Sequence, residues 1–241
     1  MRLPILLFLI VLLAVAGNSQ SVVVTSRKTT YTRPKPIAEH KRTFTVNYPK
    51  VRTSTPALSR KIESNIGYLK VLGLNVREEL HDVQWLEEAD YEVCYNSRGL
   101  LCMTLFMSGS GAYPSGTSKT VVIDLKTGAR VMPAAAFQKL VELVKRVKMK
   151  QRSEIDAAIA ELKNDPDEKD VNPAELFEGA DITVNELNEF SVDDNGVTFI
   201  YDYNFPHVIR ALQPDGKFHF TWAELSKFIN PNGPFAKFIV E

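Results

Sequence analysis

Four histidines, two cysteines and several paired carboxylates are the side chains here that could do chemistry, and their spacing limits what that chemistry could be. His40, His81, His207 and His219 are scattered and form no HExxH, HxH or Cys/His ligand pattern, so no zinc site is expected. His207, within Asn204-Phe205-Pro206-His207, is expected in a satisfied packing role. Ser108-Gly109-Ser110-Gly111-Ala112 contains part of a Gly-x-Ser-x-Gly motif but lacks the full spacing of a nucleophile elbow. The acidic pairs Glu87-Glu88, Asp167-Glu168 and Asp193-Asp194 could in principle serve as general acid and base. All three lie in polar stretches suited to solvated turns. Asp165-Pro166-Asp167 lacks the regular oxygen spacing and closing Glu of an EF-hand. The chain therefore reads as a non-enzyme, with no catalytic residues, metal or cofactor expected.

The cysteines fall in the most patterned part of the chain. Tyr91, Val93 and Tyr95 alternate with Glu92, Cys94 and Asn96, and Leu101, Met103, Leu105 and Met107 continue the apolar face after Asn96-Ser97-Arg98-Gly99. Period-two alternation on both sides of a turn signal predicts a β-hairpin. A three-residue loop, Ser97 to Gly99 with Gly99 left-handed, would set Asn96 against Leu100, Tyr95 against Leu101 and Cys94 against Cys102. In that register a Cys94–Cys102 disulfide is within geometric reach; the alternative is two unpaired thiols.

Other elements must hold this hairpin. Thr43 to Tyr48 alternates as a strand. Thr55-Pro56 is a helix-start signal, since Thr caps exposed amides and Pro at the first helical position loses no hydrogen bond. Leu58, Ile62, Ile66, Leu69 and Leu72 follow at helical spacing, interrupted by Gly67 and Gly73. Lys119 to Leu125 predicts a third strand. Pro133 opens a long helix with Phe137, Leu140, Val141 and Val144 on its apolar side, continued by Ile155, Ile159 and Leu162. Its Lys and Arg residues fit a helix packed on a sheet, with a membrane-surface helix as the alternative. Phe190 to Val192 and Val197 to Tyr201 predict strands about Asp194-Asn195-Gly196, whose Asn-Gly pair suits a two-residue turn. Lys217 to Phe220 alternates, Trp222 to Phe228 predicts a short helix, and Asn230 to Pro234 a loop. The expected class is α+β, a mostly antiparallel sheet packed against two main helices, with a smaller N-terminal and a larger C-terminal portion.

Met1-Arg2, an apolar run from Leu3 to Ala16 and the small-x-small pattern Ala14-Val15-Ala16 predict a signal peptide over residues 1–16. The run is short of the roughly 20 residues that span a bilayer core, which argues against an uncleaved anchor. A secreted or periplasmic location is expected, with no transmembrane helix after cleavage. The whole chain carries 29 Lys+Arg and 29 Asp+Glu, a balance that argues against a nucleic-acid binder. Residues 21 to 60 nevertheless hold nine basic side chains against Glu39 alone, and residues 154 to 194 hold fourteen acidic ones. Residues 17–41, rich in basic residues, Pro and Thr, are read as an extended linker. Residues 42–241 are read as one domain, with subregions of about 42–108 and 109–230.

The order of motifs resembles the PdaC/anti-sigma-V (RsiV)-like family of extracytoplasmic domains. The carrying residues are Tyr48 to Val51, the Tyr-x-Val-x-Tyr-Asn strand, Gly111-Ala112-Tyr113-Pro114, Val122 to Gly128, Asp193 to Phe199 and Trp222 to Leu225. The resemblance spans about Phe44 to Phe228 and implies an α+β fold with binding or sensing at the cell envelope. Catalysis in deacetylase members belongs to a different domain. The family loop commonly reads Gly-Gly-Ala-His-Pro-Asn, whereas here Ser110, Tyr113 and Ser115 replace the first Gly, the His and the Asn. A role depending on imidazole at that loop is expected to be lost. Ser110, Gly111, Ala112, Tyr113 and Pro114 form the candidate ligand-binding loop, in which Tyr113 can stack on a sugar face. The alternative is a Gly-rich corner whose path Pro114 fixes.

The expected function is a non-catalytic exported binding or sensing module that recognises wall glycan or a wall-acting protein such as a muramidase. A wall-directed hydrolase with an unrecognised carboxylate pair, or a structural envelope protein tethered by its basic arm, are the alternatives.

Overall fold

The computed structural model describes residues 21–111, 113–164 and 172–239. The expected signal peptide, Ala112 and the Asp167-Glu168 pair lie outside them. Eight strands among the described residues form a five-stranded sheet, in the order β1-β2-β3-β4-β5, and a three-stranded sheet β6-β7-β8. β1 (Val23–Thr32) and β2 (Thr43–Arg52) pair antiparallel along their whole length. The chain then crosses over through α1 (Pro56–Asn65), α2 (Tyr68–Leu72) and α3 (Val76–His81). β3 (Leu86–Ser97) therefore lies parallel to β2, with Thr45 opposite Glu88, since parallel neighbours require such a crossover. β4 (Leu100–Ser110) and β5 (Pro114–Asp124) complete an antiparallel meander. Next come α4 (Pro133–Ala136), α5 (Leu140–Asn164) and α6 (Pro173–Leu176). β6 (Phe190–Val192), β7 (Gly196–Ile200) and β8 (Lys217–Thr221) lead into α7 (Trp222–Leu225). The α+β class and mostly antiparallel pairing agree with the sequence, although the strands divide between two sheets.

The large sheet is covered on both faces in its lower half. Leu101, Met103, Leu105, Val121 and Ile123 pack with Ile62, Ile66 and Tyr68 of the crossover helices. Leu100, Cys102 and Val122 point the other way, into a core shared with Phe137, Phe190, Phe199, Phe220 and Phe235. Successive strand residues alternate faces, so the unbroken apolar run Leu100 to Met103 is buried throughout, as expected of a strand covered on both sides. In the second core the Phe137 ring lies 5.5 Å from Phe235 and 5.6 Å from Phe199, and Trp222 stacks on Phe238 at 4.1 Å.

The local helix signals held where they were local. Thr55 caps α1, its hydroxyl accepting from Leu58 N. The periodic run beyond is two helices, because Gly67 adopts an extended conformation between them and left-handed Gly73 closes the second. The helix opened by Pro133 also stops after one turn. Phe137 is extended and bridges Ile229, and Gln138 N donates to Phe228 O at 2.6 Å. α5 then restarts at Leu140, turned so that Val141 is 65 % exposed while Leu143, Val144 and Val147 are buried. Val141 therefore lies on the solvent face of α5 and not, as the periodicity predicts, on its apolar side.

The expected linker is corrected more deeply. Residues 23–32 form an edge strand with ten paired positions on β2, and Arg33 just beyond it is buried. The exposed side chains of β1 conceal the strand from a hydropathy reading, because its outer face meets only solvent. The ordered fold accordingly begins before Arg42.

The hairpin turn differs by one residue from the expected register. Ser97 opposes Leu100, Asn96 opposes Leu101 and Tyr95 opposes Cys102. Arg98 and Gly99, at φ of 48° and 68°, form a two-residue turn with both centres left-handed. An irregularity between Val93 and Tyr95 leaves Cys94 as the extra residue of a bulge. That bulge still brings Cys94 to Cys102, and the two form a disulfide with Cα atoms 5.2 Å apart.

The Asn195-Gly196 turn is corrected too. Val192 pairs with Val197 and Asp193 N donates to Gly196 O at 3.1 Å, so the two turn residues are Asp194 and Asn195, and Gly196 is the first residue of β7. Asp193 Oδ1 accepts from Asn195 N and Gly196 N at 2.6 and 2.8 Å. Gly196 is needed for a different reason: a Cβ there would lie 1.9 Å from Phe220 O.

Candidate functional site

β4 and β5 run well past their covered half, and their far end carries the expected loop. Ser110 opposes Pro114 across the tip. Beneath it lies Trp85, whose carbonyl accepts from Ser110 N at 3.2 Å and whose Nε1 donates to Ser115 Oγ at 3.1 Å. Gly109 permits this approach, since a Cβ there would sit 2.1 Å from Trp85 O. Glu87 is bonded to Ser110 and to Lys41, and these partners, the Lys41 ammonium first, hold its carboxyl below the usual range. Ser110, Gly111, Tyr113 and Pro114 therefore form a braced tip; Ala112 lies outside the described residues.

Tyr113 is 64 % exposed, yet one of its faces is occupied. The His207 ring stacks on it, with centroids 5.3 Å apart and planes 26° from parallel. His207 Nε2 lies 2.9 Å from Pro114 O. A carbonyl oxygen can only accept, so Nε2 carries the proton. His207 is exposed at the start of a 3₁₀ turn, His207–Leu212, so the satisfied packing expected of it takes place on the hairpin tip rather than in a core. Nothing in the local sequence about His207 signals this contact, which spans 93 positions.

Below the tip, along β5, a cleft of about 410 Å³ separates the outer edge of the large sheet from the segment that follows β7. Lys119, Arg130, Glu186, Glu189, Tyr201 and Asp202 are among its lining residues. Glu189 binds Lys119 Nζ at 2.7 Å and accepts from Thr120 N at 3.1 Å. Glu186 accepts from Thr183 N at 2.8 Å. Asp202 accepts from Asn204 N at 2.9 Å and faces Arg210 at 3.6 Å. Burial lowers the Arg130 guanidinium pKa, with the charge of Glu189 opposing that shift. This cleft was not anticipated; Arg130 follows a Lys-Thr-Gly turn and looks like an ordinary surface cation.

The candidate carboxylate pairs are placed as follows. Glu87 is the extra residue of a bulge between Leu86 and Glu88, and its carboxyl is engaged by Lys41 and Ser110. Asp193 is the turn acceptor, and Asp194 accepts from Tyr95 Oη at 2.8 Å. Among the described residues no group of three or more His, Cys, Asp or Glu side chains is arranged to hold a metal, and no helix is long and apolar enough to cross a membrane.

No known family profile and no curated protein matches the chain. Solved structures do. A DUF3298 family protein from Pseudomonas aeruginosa is similar over 88 % of this chain and 95 % of its own, with 13 % identity and a TM-score of 0.58. A member of the DUF3298 family from Bacteroides fragilis is similar over 92 % of this chain and 100 % of its own, with 13 % identity and a TM-score of 0.57. At this identity the likeness is one of fold.

Proposed function

We propose that this chain is a non-catalytic binding or sensing module, exported to the bacterial cell envelope, of the PdaC/RsiV-like kind. Its target is wall glycan or a wall-acting protein such as a muramidase. The observation that carries the reading is the aromatic platform at the hairpin tip. Tyr113 is exposed on a braced loop while its ring is already oriented by His207. Preorganising a large side chain before contact reduces the ordering cost of association, and an exposed aromatic face suits either a sugar ring or a protein anchor. The motif order and the fold likeness support the same assignment. The proposed location is secreted or periplasmic, consistent with the apolar N-terminal run.

The test is binding of the secreted protein to purified peptidoglycan and to a muramidase, side by side, with Tyr113→Ala as the control. Binding to either that weakens about tenfold in the variant, the loss expected for an aromatic anchor, supports the reading. Equal binding by the variant removes the tip from it, and absence of binding to both sinks it.

A further inference from the structure

β5 is hydrogen-bonded to β4 on one side only, and its other edge has an uneven set of partners. The outward main-chain groups belong to even-numbered residues. Asp124 N donates to Ala129 O at 3.0 Å and Val122 O accepts from Val131 N at 2.8 Å, so the segment 129–131 covers the lower end. Thr120 N is taken by the Glu189 carboxylate, and Pro114 O by His207. Between these two plugs, Ser118 and Gly116 are exposed, and among the described residues their outward N–H and C=O groups have no partner. An open strand edge is a template for an added strand.

The cleft lies at the lower end of that opening, because Lys119 and Thr120 line it. Its charges are unequal in their engagement. Glu186, Glu189 and Asp202 each have the partners given above, and Lys119 is paired with Glu189. Arg130 has no carboxylate within ion-pair distance among the described residues and is only partly solvated. A partly buried guanidinium without a direct counter-ion favours an incoming carboxylate, which it can hold through two parallel hydrogen bonds.

We propose that the edge of β5 at Gly116–Ser118 accepts an extended, acidic polypeptide segment of a partner protein as a sixth strand, with a carboxylate of that segment seated against Arg130. This deepens the binding-module reading and rests on it: the recognised partner is a protein, read partly through its backbone. Main-chain pairing supplies affinity, while Arg130 selects the acidic end.

Linear random dodecapeptides displayed on phage, selected on the immobilised full-length secreted protein and then synthesised, provide the probe. Acidic sequences should be enriched. Ser118→Pro removes one outward N–H and leaves the bonds to β4, which odd-numbered residues make, so peptide affinity should fall about tenfold or more. Arg130→Gln, and amidation of the peptide acid, should each give a similar loss and should not add. N-methylation of alternate peptide amides should weaken binding in one parity and spare it in the other, a readout that needs no folded variant. Selection of no peptides, or peptides indifferent to both substitutions and to N-methyl parity, overturns the proposal. Peptidoglycan or muramidase binding that is lost in Tyr113→Ala but intact in Ser118→Pro overturns it while leaving the binding-module reading in place.

Discussion

The Arg33 guanidinium and the Glu79 carboxylate lie 3.6 Å apart, side chains 0 % and 8 % exposed, where the end of β1 meets the crossover helices. Arg33 also donates to Glu79 O at 3.0 Å, to Leu86 O at 2.7 Å and to Lys41 O, and its plane covers the Phe44 ring at 4.9 Å. Glu79 Oε2 accepts from Leu86 N at 2.8 Å. One buried cation thus gathers three backbone carbonyls from separate segments.

Removing that cation should cost far more than a surface charge. Arg33→Met leaves Glu79 buried without its charge partner and three carbonyls short of a donor. The expected loss is about 3–5 kcal/mol, read as a lower midpoint in denaturant melts. Arg33→Lys should recover only part of it, because an ammonium cannot reproduce the planar fork. A loss under about 1 kcal/mol, typical of an exposed pair, would show that residues 21–41 do not belong to the cooperative fold.

The contrast with the sequence reading has a physical basis. Thr55-Pro56 and the run Leu100 to Met103 were legible because a cap and a two-sided core strand are specified by adjacent residues. Arg33 was not, since it sits in a stretch where every neighbour is solvated and its partners lie 8 to 53 positions away. At the candidate site the exposure of Tyr113 was legible from its Gly-rich surroundings. The His207 stack and the Arg130 cleft were not, because tertiary packing creates both.

The Cys94–Cys102 bond closes a short hairpin across a bulge, with sequence separation 8. Its contribution should be modest, about 2.5 kcal/mol by loop-closure entropy. Thiol alkylation of the denatured, unreduced protein should leave both sulfurs unmodified, and reduction should lower the melting temperature without unfolding the chain at room temperature. Alkylation at two sites before reduction would contradict the pairing.

Gly196 tests close approach separately from turn conformation. Its φ is not among the positive values, so alanine is acceptable to its backbone. The added methyl would nevertheless meet Phe220 O at 1.9 Å, forcing β7 and β8 apart. Gly196→Ala should cost about 3 kcal/mol, at the upper end for overpacking, whereas alanine at Gly179, where no atom lies within 4 Å, meets only the left-handed φ of 76° and should cost about 1 kcal/mol. Equal costs at the two positions in thermal melts would mean that β8 yields easily.

Tyr95 and Asp194 connect the two sheets through a 2.8 Å hydrogen bond, and this contact should govern part of the alkaline limit. Burial first, and then the bond to Asp194, push the Tyr95 phenol up to about 12. The folded protein therefore retains this proton after the unfolded chain, with an ordinary tyrosine pKa near ~10, has released it. Because the folded state then binds more protons, stability falls as pH rises. The contribution is fully present below about 10 and is lost as pH climbs through the folded value. Tyr95→Phe should be less stable than the parent at neutral pH by about 1 kcal/mol, the net value of one such bond. Its stability should also decline less steeply between pH 10 and 12, measured as the denaturant midpoint against pH. Parallel curves for the two proteins across that window would show that Tyr95 is not what links phenol ionisation to unfolding.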